Sequence, residues 1–196
     1  MSNSNPIQIV GGKRSRVFVD ASYGEHKGVI VGYALLDQVE ETFGDQTSIN
    51  DKIQIIYEIE ERITEEEVIA AAKEQGVEVN ENVLAQVGHR KTVRGKRMNR
   101  KLSLADSKYP SGLNKFLNLI LAKTLTNDDI RAFHPDKLYG TPVALNITPS
   151  ASLSKSGKPF QEVAANAWSK FAGQGLIPDT DLIVVKPREK AEAAAQ

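Results

Sequence analysis

Between residues 52 and 60 the chain reads KIQIIYEIE, with Ile53, Ile55, Tyr57 and Ile59 alternating against polar neighbours and only Ile56 out of phase. A period of two places one set of side chains on one face, so this segment predicts a half-buried strand. Residues 28–36 (GVIVGYALL) are β-branched and apolar and predict another strand. Its interior Gly32 marks a bend or bulge. Residues 15–20 (SRVFVD) alternate over a shorter span and predict a short strand. Further strands are expected at 97–105 (RMNRKLSLA), 141–148 (TPVALNIT), 158–165 (KPFQEVAA) and 181–186 (DLIVVK). Residues 43–50 read as turn-rich.

The period changes at Thr64. Thr64 with Glu67 three residues on is a capping box, alanines follow, and Gly76 closes the predicted helix. Residues 80–87 predict a second short helix with Asn80 as its cap, so the two form a helical hairpin between strands. In residues 113–121, Leu113, Phe116, Leu117, Ile120 and Leu121 recur on one face of an amphipathic helix. Residues 126–133 start with a cap residue and first-turn acids, and Pro135 stops that helix. Three strands, a helix and two more strands is the element order of an OB fold, a five-stranded barrel. The expected architecture is therefore mainly β: an OB barrel over residues 15–186, with a helical-hairpin insertion at 61–96 between strands two and three. A loose N-terminal arm (1–14) and a flexible tail (187–196) flank it. The chain has no internal repeat.

Composition narrows the class. With 196 residues, 40% hydrophobic and 26% charged, the chain can bury a core as one domain. Lys+Arg and Asp+Glu both number 25, so net charge points to no partner. Its distribution does. Residues 89–101 (HRKTVRGKRMNRK) hold seven Lys/Arg and no acid, whereas residues 58–87 hold nine Glu against Arg62 and Lys73. The absence of cysteine excludes disulfides and thiolate metal sites. No apolar run approaches the ~20 residues of a membrane span, and the start lacks the apolar core of a signal peptide. A cytoplasmic, soluble protein is expected.

From Lys115 to Val163, with Phe133, Leu138, Gly140 and Pro142 before an apolar strand from Val143 to Ile147 and Gly157, Lys158 and Phe160 after it, the chain resembles a phage-type family of OB-fold single-stranded-DNA-binding proteins associated with replication and recombination. Residues 28–37, 52–58 and Leu102-Ser103 extend the resemblance, so that it covers roughly 28–165. It implies an OB barrel that binds single-stranded DNA. The long connection 61–96 and a C-terminus without an acidic tip depart from the family pattern.

An OB barrel holds single strands with cations for phosphates and aromatic faces for bases. The cationic candidates are Arg90, Lys91, Arg94, Lys96, Arg97, Arg100, Lys101 and Lys158, with Lys155 and Lys170 nearby in sequence. The aromatic candidates are Tyr33, Tyr57, Phe160 and Trp168, with Tyr109 beside Lys108. Tyr33 and Tyr57 sit on apolar strands, a placement that equally suits a core. Basic runs are ordinarily solvated loops, but seven cations without an acid exceed that background. The three histidines lack ligand spacing, and neither Gly11–Arg14 nor Ser156–Lys158 has P-loop spacing. Asp20, Asp37 and Glu58 lie on separate expected strands and would have to converge to form a nuclease site. Nothing argues for an enzyme or a cofactor. The expected function is non-sequence-specific single-stranded-DNA binding in phage-type replication or recombination. The expected partners are single-stranded DNA, replication or recombination proteins, and further copies of the chain. A protein-interaction module on an OB scaffold and RNA binding are the alternatives. The acidic hairpin reads either as a solvated surface or as a segment that docks near the basic run and competes for it.

Overall fold

β1 (Gly24–Phe43) and β2 (Gln46–Arg62) form one long antiparallel hairpin, closed at its tip by Gly44-Asp45 with Gly44 at φ +60°. The region expected to be turn-rich is thus mostly strand, and the turn itself needs only two residues. The computed structural model describes residues 17–154, 157–167 and 173–187, with Phe43 described through its backbone alone. After β2 come α1 (Glu65–Gln75) and the short α2 (Glu81–Leu84), then β3 (Arg90–Asn99). α3 (Gly112–Ile120), α4 (Asn127–Arg131) and a 3-10 turn (Pro135–Leu138) lead to β4 (Pro142–Leu153), β5 (Pro159–Ala167) and the short β6 (Ile183–Val185).

The six strands form one sheet in the order β3-β2-β1-β4-β5, antiparallel throughout, with β6 added to β1 in parallel. The expected barrel is not closed: among the described residues no backbone ladder joins β3 to β5, although these two edges run close together. β1 is the central strand. Its residues 24–29 pair with β4, and residues 32–34 pair with β6. A register shift between Ile30 and Gly32 separates the two stretches. A Cβ at residue 32 would stand 2.0 Å from the Ile183 carbonyl oxygen, so glycine is what lets β6 close on β1.

The main core lies on one face of the sheet. Ile30, Tyr33, Ile53, Ile55, Tyr57 and Ile59 pack there with Val143, Leu145 and Ile147 of β4 and with Leu113, Leu117 and Ile120 of α3. The opposite face carries a smaller cluster of Val29, Val31 and Ile56, against which Leu176, Ile183 and Val185 pack. The middle of β1 is therefore buried on both faces. That explains why residues 28–36 are continuously apolar rather than alternating, and why Ile56 breaks the phase of β2. A third cluster joins Val68, Ala72 and Val83 of the helical hairpin to Val17.

Two expected strands are corrected. The third strand is residues 90–99, not 97–105, so the basic run is itself the strand. Its inward residues are Lys91, Val93 and Gly95. Gly95 faces Tyr57, where a Cβ would come within 2.9 Å of Cε2. Beyond it, the backbone of Ser103 is taken by a side chain: its N–H donates to Asn114 Oδ1 at 2.7 Å and its carbonyl accepts from Nδ2 at 3.0 Å. The short strand at 15–20 is, over its described residues 17–20, an extended strap outside the sheet. Gln75 of α1 bonds both the N–H (3.1 Å) and the carbonyl (2.7 Å) of Phe18. Gln161 of β5 does the same for Ala21, at 3.3 and 2.6 Å. Side-chain amides stand where a neighbouring strand would. The expected arm and tail (1–14 and all but Pro187 of 187–196) lie outside the described residues. Among the described residues no helix is long and apolar enough to cross a membrane.

Candidate nucleic-acid interface

The expected cations divide into two groups. Arg90 donates to the Ile177 carbonyl at 2.6 Å and lies 3.3 Å from Asp179 and 3.9 Å from Glu58. Glu58, almost wholly buried, also accepts from the Asp179 N–H at 2.8 Å and the Thr180 hydroxyl at 2.6 Å. Arg90 thus anchors residues 177–180. Lys91 is buried between Glu61 at 3.0 Å and Glu67 at 2.7 Å. Burial opposes its charge, but hydrogen bonds from Lys91 to the two carboxylates outweigh this and raise its pKa. Arg100 bridges Asp51 at 2.8 Å and Asp37 at 3.2 Å. Lys158 lies 2.5 Å from Asp20 and 3.7 Å from Glu74. These four side chains are engaged with the protein's own carboxylates. As sequence candidates for phosphate contact, Arg90 and Lys91 are corrected to structural roles.

Arg94, Lys96, Arg97 and Lys101 are different. All four are exposed, and among the described residues none has a carboxylate partner. The pairing of β3 with β2 explains how they gather. Arg94 lies opposite Ile56 and Arg97 opposite Gln54, so β3 spends one extra residue over that stretch. This bulge at Gly95-Lys96 returns Arg97 to the outward face already occupied by Arg94. Although the Arg94 side chain is exposed, partial desolvation by the surrounding protein and, after it, the neighbouring positive Arg97 push its guanidinium below the ordinary pKa. A close pair of like charges on an edge strand is a site that an anion would relieve.

Arg94 also reaches a cleft of about 330 Å³ between the two sheet edges. β3 contributes Thr92, Val93 and Arg94; β5 contributes Phe160, Gln161 and Val163; the strap contributes Phe18. Phe18 and Phe160 are 58% and 56% exposed, unusual for phenylalanines. The Arg94 guanidinium carbon is 5.4 Å from the Phe18 ring centroid, within cation–π range. One cleft therefore brings together two exposed aromatic rings, one of them under a cation without a carboxylate partner.

No family model, curated protein or solved structure matches the chain.

The remaining sequence candidates fall elsewhere. Tyr57 is buried in the core, and burial drives its hydroxyl pKa upward. Tyr33 is also buried, and its hydroxyl donates to Asp136 at 2.7 Å. Neither offers a ring face to a base, which corrects both as stacking platforms. Tyr109 is 78% exposed with the Lys108 ammonium 5.5 Å from its ring centroid, outside the cleft. Trp168, Lys155 and Lys170 lie outside the described residues. Asp20, Asp37 and Glu58 are held by different partners and do not converge. Phe18 was the residue the pattern concealed. Its signal was a large aromatic on the polar phase of the alternating segment 15–20.

The acidic segment is partly accounted for by internal pairing. Glu61 and Glu67 meet Lys91, Glu74 meets Lys158, and Glu58 meets Arg90. Burial opposes the charge of Glu61 and Glu67, but hydrogen bonds from Ser22 and Lys91 to Glu61, and from Lys91 and Thr64 to Glu67, keep both pKa values below ordinary. At the far end of β3 a polar groove of about 710 Å³ is lined by Asn99, Lys101, Ser103 and Asn50 among others. Of the exposed cations, Arg94 lines the aromatic cleft and Lys101 this groove, and Lys96 and Arg97 fall between them along the chain.

Proposed function

We propose that the protein binds single-stranded DNA without sequence preference, along the outward face of β3 and into the cleft beside β5. The observation that carries this reading is the convergence of Phe18, Phe160 and Arg94 on one cleft, continued by Lys96, Arg97 and Lys101. Phosphates are drawn to cations spaced along an extended strand, and unstacked bases lie on the two phenylalanine rings. Each stacked base is worth about 1–3 kcal/mol and shows little base preference. Duplex DNA hides its base faces and so gains only the electrostatic part.

We read the sheet as an OB fold whose closing pair, β3 and β5, is left open. In support, the order β3-β2-β1-β4-β5 is that of an OB barrel cut at this seam. The biological setting we propose, phage-type replication or recombination, rests on the resemblance carried by Phe133 to Phe160. Fluorescence anisotropy of labelled oligo-dT, oligo-U and duplex at two salt concentrations tests the reading. Expected is tighter binding of single strand than duplex, weakening steeply with salt. Equal binding of oligo-U extends the ligand class to RNA. Absence of binding at low salt overturns the reading in favour of a protein-interaction module.

A further inference from the structure

Lys158 faces the same cleft as Arg94 and Phe160 but is occupied. Its ammonium lies 2.5 Å from Asp20 on the strap and 3.7 Å from Glu74 on α1, and both acids also line the cleft. The hydrogen bond to Asp20 raises its pKa most, so Lys158 stays charged in place. All three side chains are about half exposed, at 49%, 47% and 47%. Ion pairs in such surroundings are held by little net free energy and exchange partners readily. The strap that carries Asp20 is fastened through the amides of Gln75 and Gln161, so it can shift without disturbing a sheet ladder.

We propose that the carboxylates of Asp20 and Glu74 hold the place of a phosphate at the cleft, so that single-strand entry is an exchange in which Lys158 leaves them for a phosphodiester. This rests on the single-strand reading above. Carboxylate and phosphodiester both offer charged oxygens to an ammonium at hydrogen-bond distance, so one can replace the other. The exchange has a signature. The phosphate that Lys158 neutralises releases its counterion, but the carboxylates left behind take up cations in part, so the salt dependence of binding understates the number of phosphate contacts in the cleft.

The test is an anisotropy titration of oligo-dT across salt concentrations with the full-length chain and D20N/E74Q. Removing both carboxylates frees Lys158. Affinity at low salt is then expected to rise about three- to ten-fold, while the log–log salt slope steepens by clearly less than the ~0.7 of one single-strand phosphate contact, because Lys158 already makes that contact in the natural chain; a steepening by the full ~0.7 means that Lys158 stays on its carboxylates there and overturns the exchange. Adding K158Q to D20N/E74Q is expected to abolish the gain, and to cost more there than in the natural chain. Unchanged affinity and slope in D20N/E74Q overturn the exchange while leaving single-strand binding standing. A natural chain that binds no oligo-dT overturns the single-strand reading instead. E74Q, on an exposed helix position, serves if the double variant melts early; a smaller gain with the same K158Q dependence supports the exchange, and no gain overturns it.

Discussion

Arg94 and Phe18 meet across the open seam of the sheet, the guanidinium carbon 5.4 Å from the ring centroid. One belongs to an edge strand and the other to a strap tied to α1 by Gln75 and to β5 by Gln161. Their contact places a cation and an aromatic face at the same position, the arrangement a stacked nucleotide with its phosphate requires. Phe18→Ala and Phe160→Ala are each expected to weaken oligo-dT binding by about 1–3 kcal/mol while leaving the melting temperature nearly unchanged. Anisotropy titration beside a thermal melt checks this.

Charge removal on β3 should separate two kinds of cation. Arg94→Gln, Lys96→Gln and Arg97→Gln are each expected to lower the salt slope of oligo-dT binding by about 0.7, equally for all sequences. Lys91→Met should instead act on stability. It leaves Glu61 and Glu67 facing one another without their shared counter-ion, at a cost of about 2 kcal/mol after allowance for their partial exposure. Urea denaturation of each variant distinguishes the two outcomes.

The same triad sets a pH dependence. Glu61 and Glu67 are held below their ordinary value of 4.5 in the folded chain, so their contribution is complete above that value and is lost as pH falls through the depressed folded values. Lys91 is held above its ordinary 10.5, so its contribution is complete below that value and is lost as pH rises through the raised one. Melting temperature is expected to be level, as far as this triad is concerned, from about pH 4.5 to about 10.5 and to fall on both sides. Lys91→Met should flatten the acid-side fall.

Gly32→Ala would drive a Cβ to 2.0 Å from a backbone carbonyl oxygen, a clash no rotamer change relieves. The expected cost is about 3 kcal/mol or more, with β6 displaced. Gly28→Ala should cost less, because its nearest neighbour at 2.6 Å is the flexible Leu145 side chain. Urea denaturation, with limited proteolysis mapped to residues 173–187, checks both.

The hydrophobic pattern made the sheet and helices legible because most of them bury one face. Thr64, Asn80 and Thr126 cap their helices as their residue types suggest, and Ile53, Ile55, Tyr57 and Ile59 point into the core. The location of β3 was not legible. A strand whose inward positions are Lys91, Val93 and Gly95 has no apolar alternation to read, since a buried lysine satisfied by two glutamates looks like surface in sequence. The open seam was equally hidden, because Gln75 and Gln161 take up strap backbone groups through contacts that no local pattern encodes. Of the expected site, Arg94, Lys158 and Phe160 reach the cleft, whereas Tyr33 and Tyr57 were drawn into the core by the same alternation that identified their strands.

The outward cluster of Val29, Val31 and Ile56 has a consequence for synthesis. These side chains belong to the first two strands, yet the residues packed against them, Leu176, Ile183 and Val185, come more than a hundred positions later. During translation the central hairpin emerges with this apolar stripe bare, and it stays bare until the segment with β6 leaves the ribosome. The nascent chain must therefore keep a sticky half-finished sheet from finding another copy of itself. An exposed charged edge such as β3, repelling its like, is well suited to that interval.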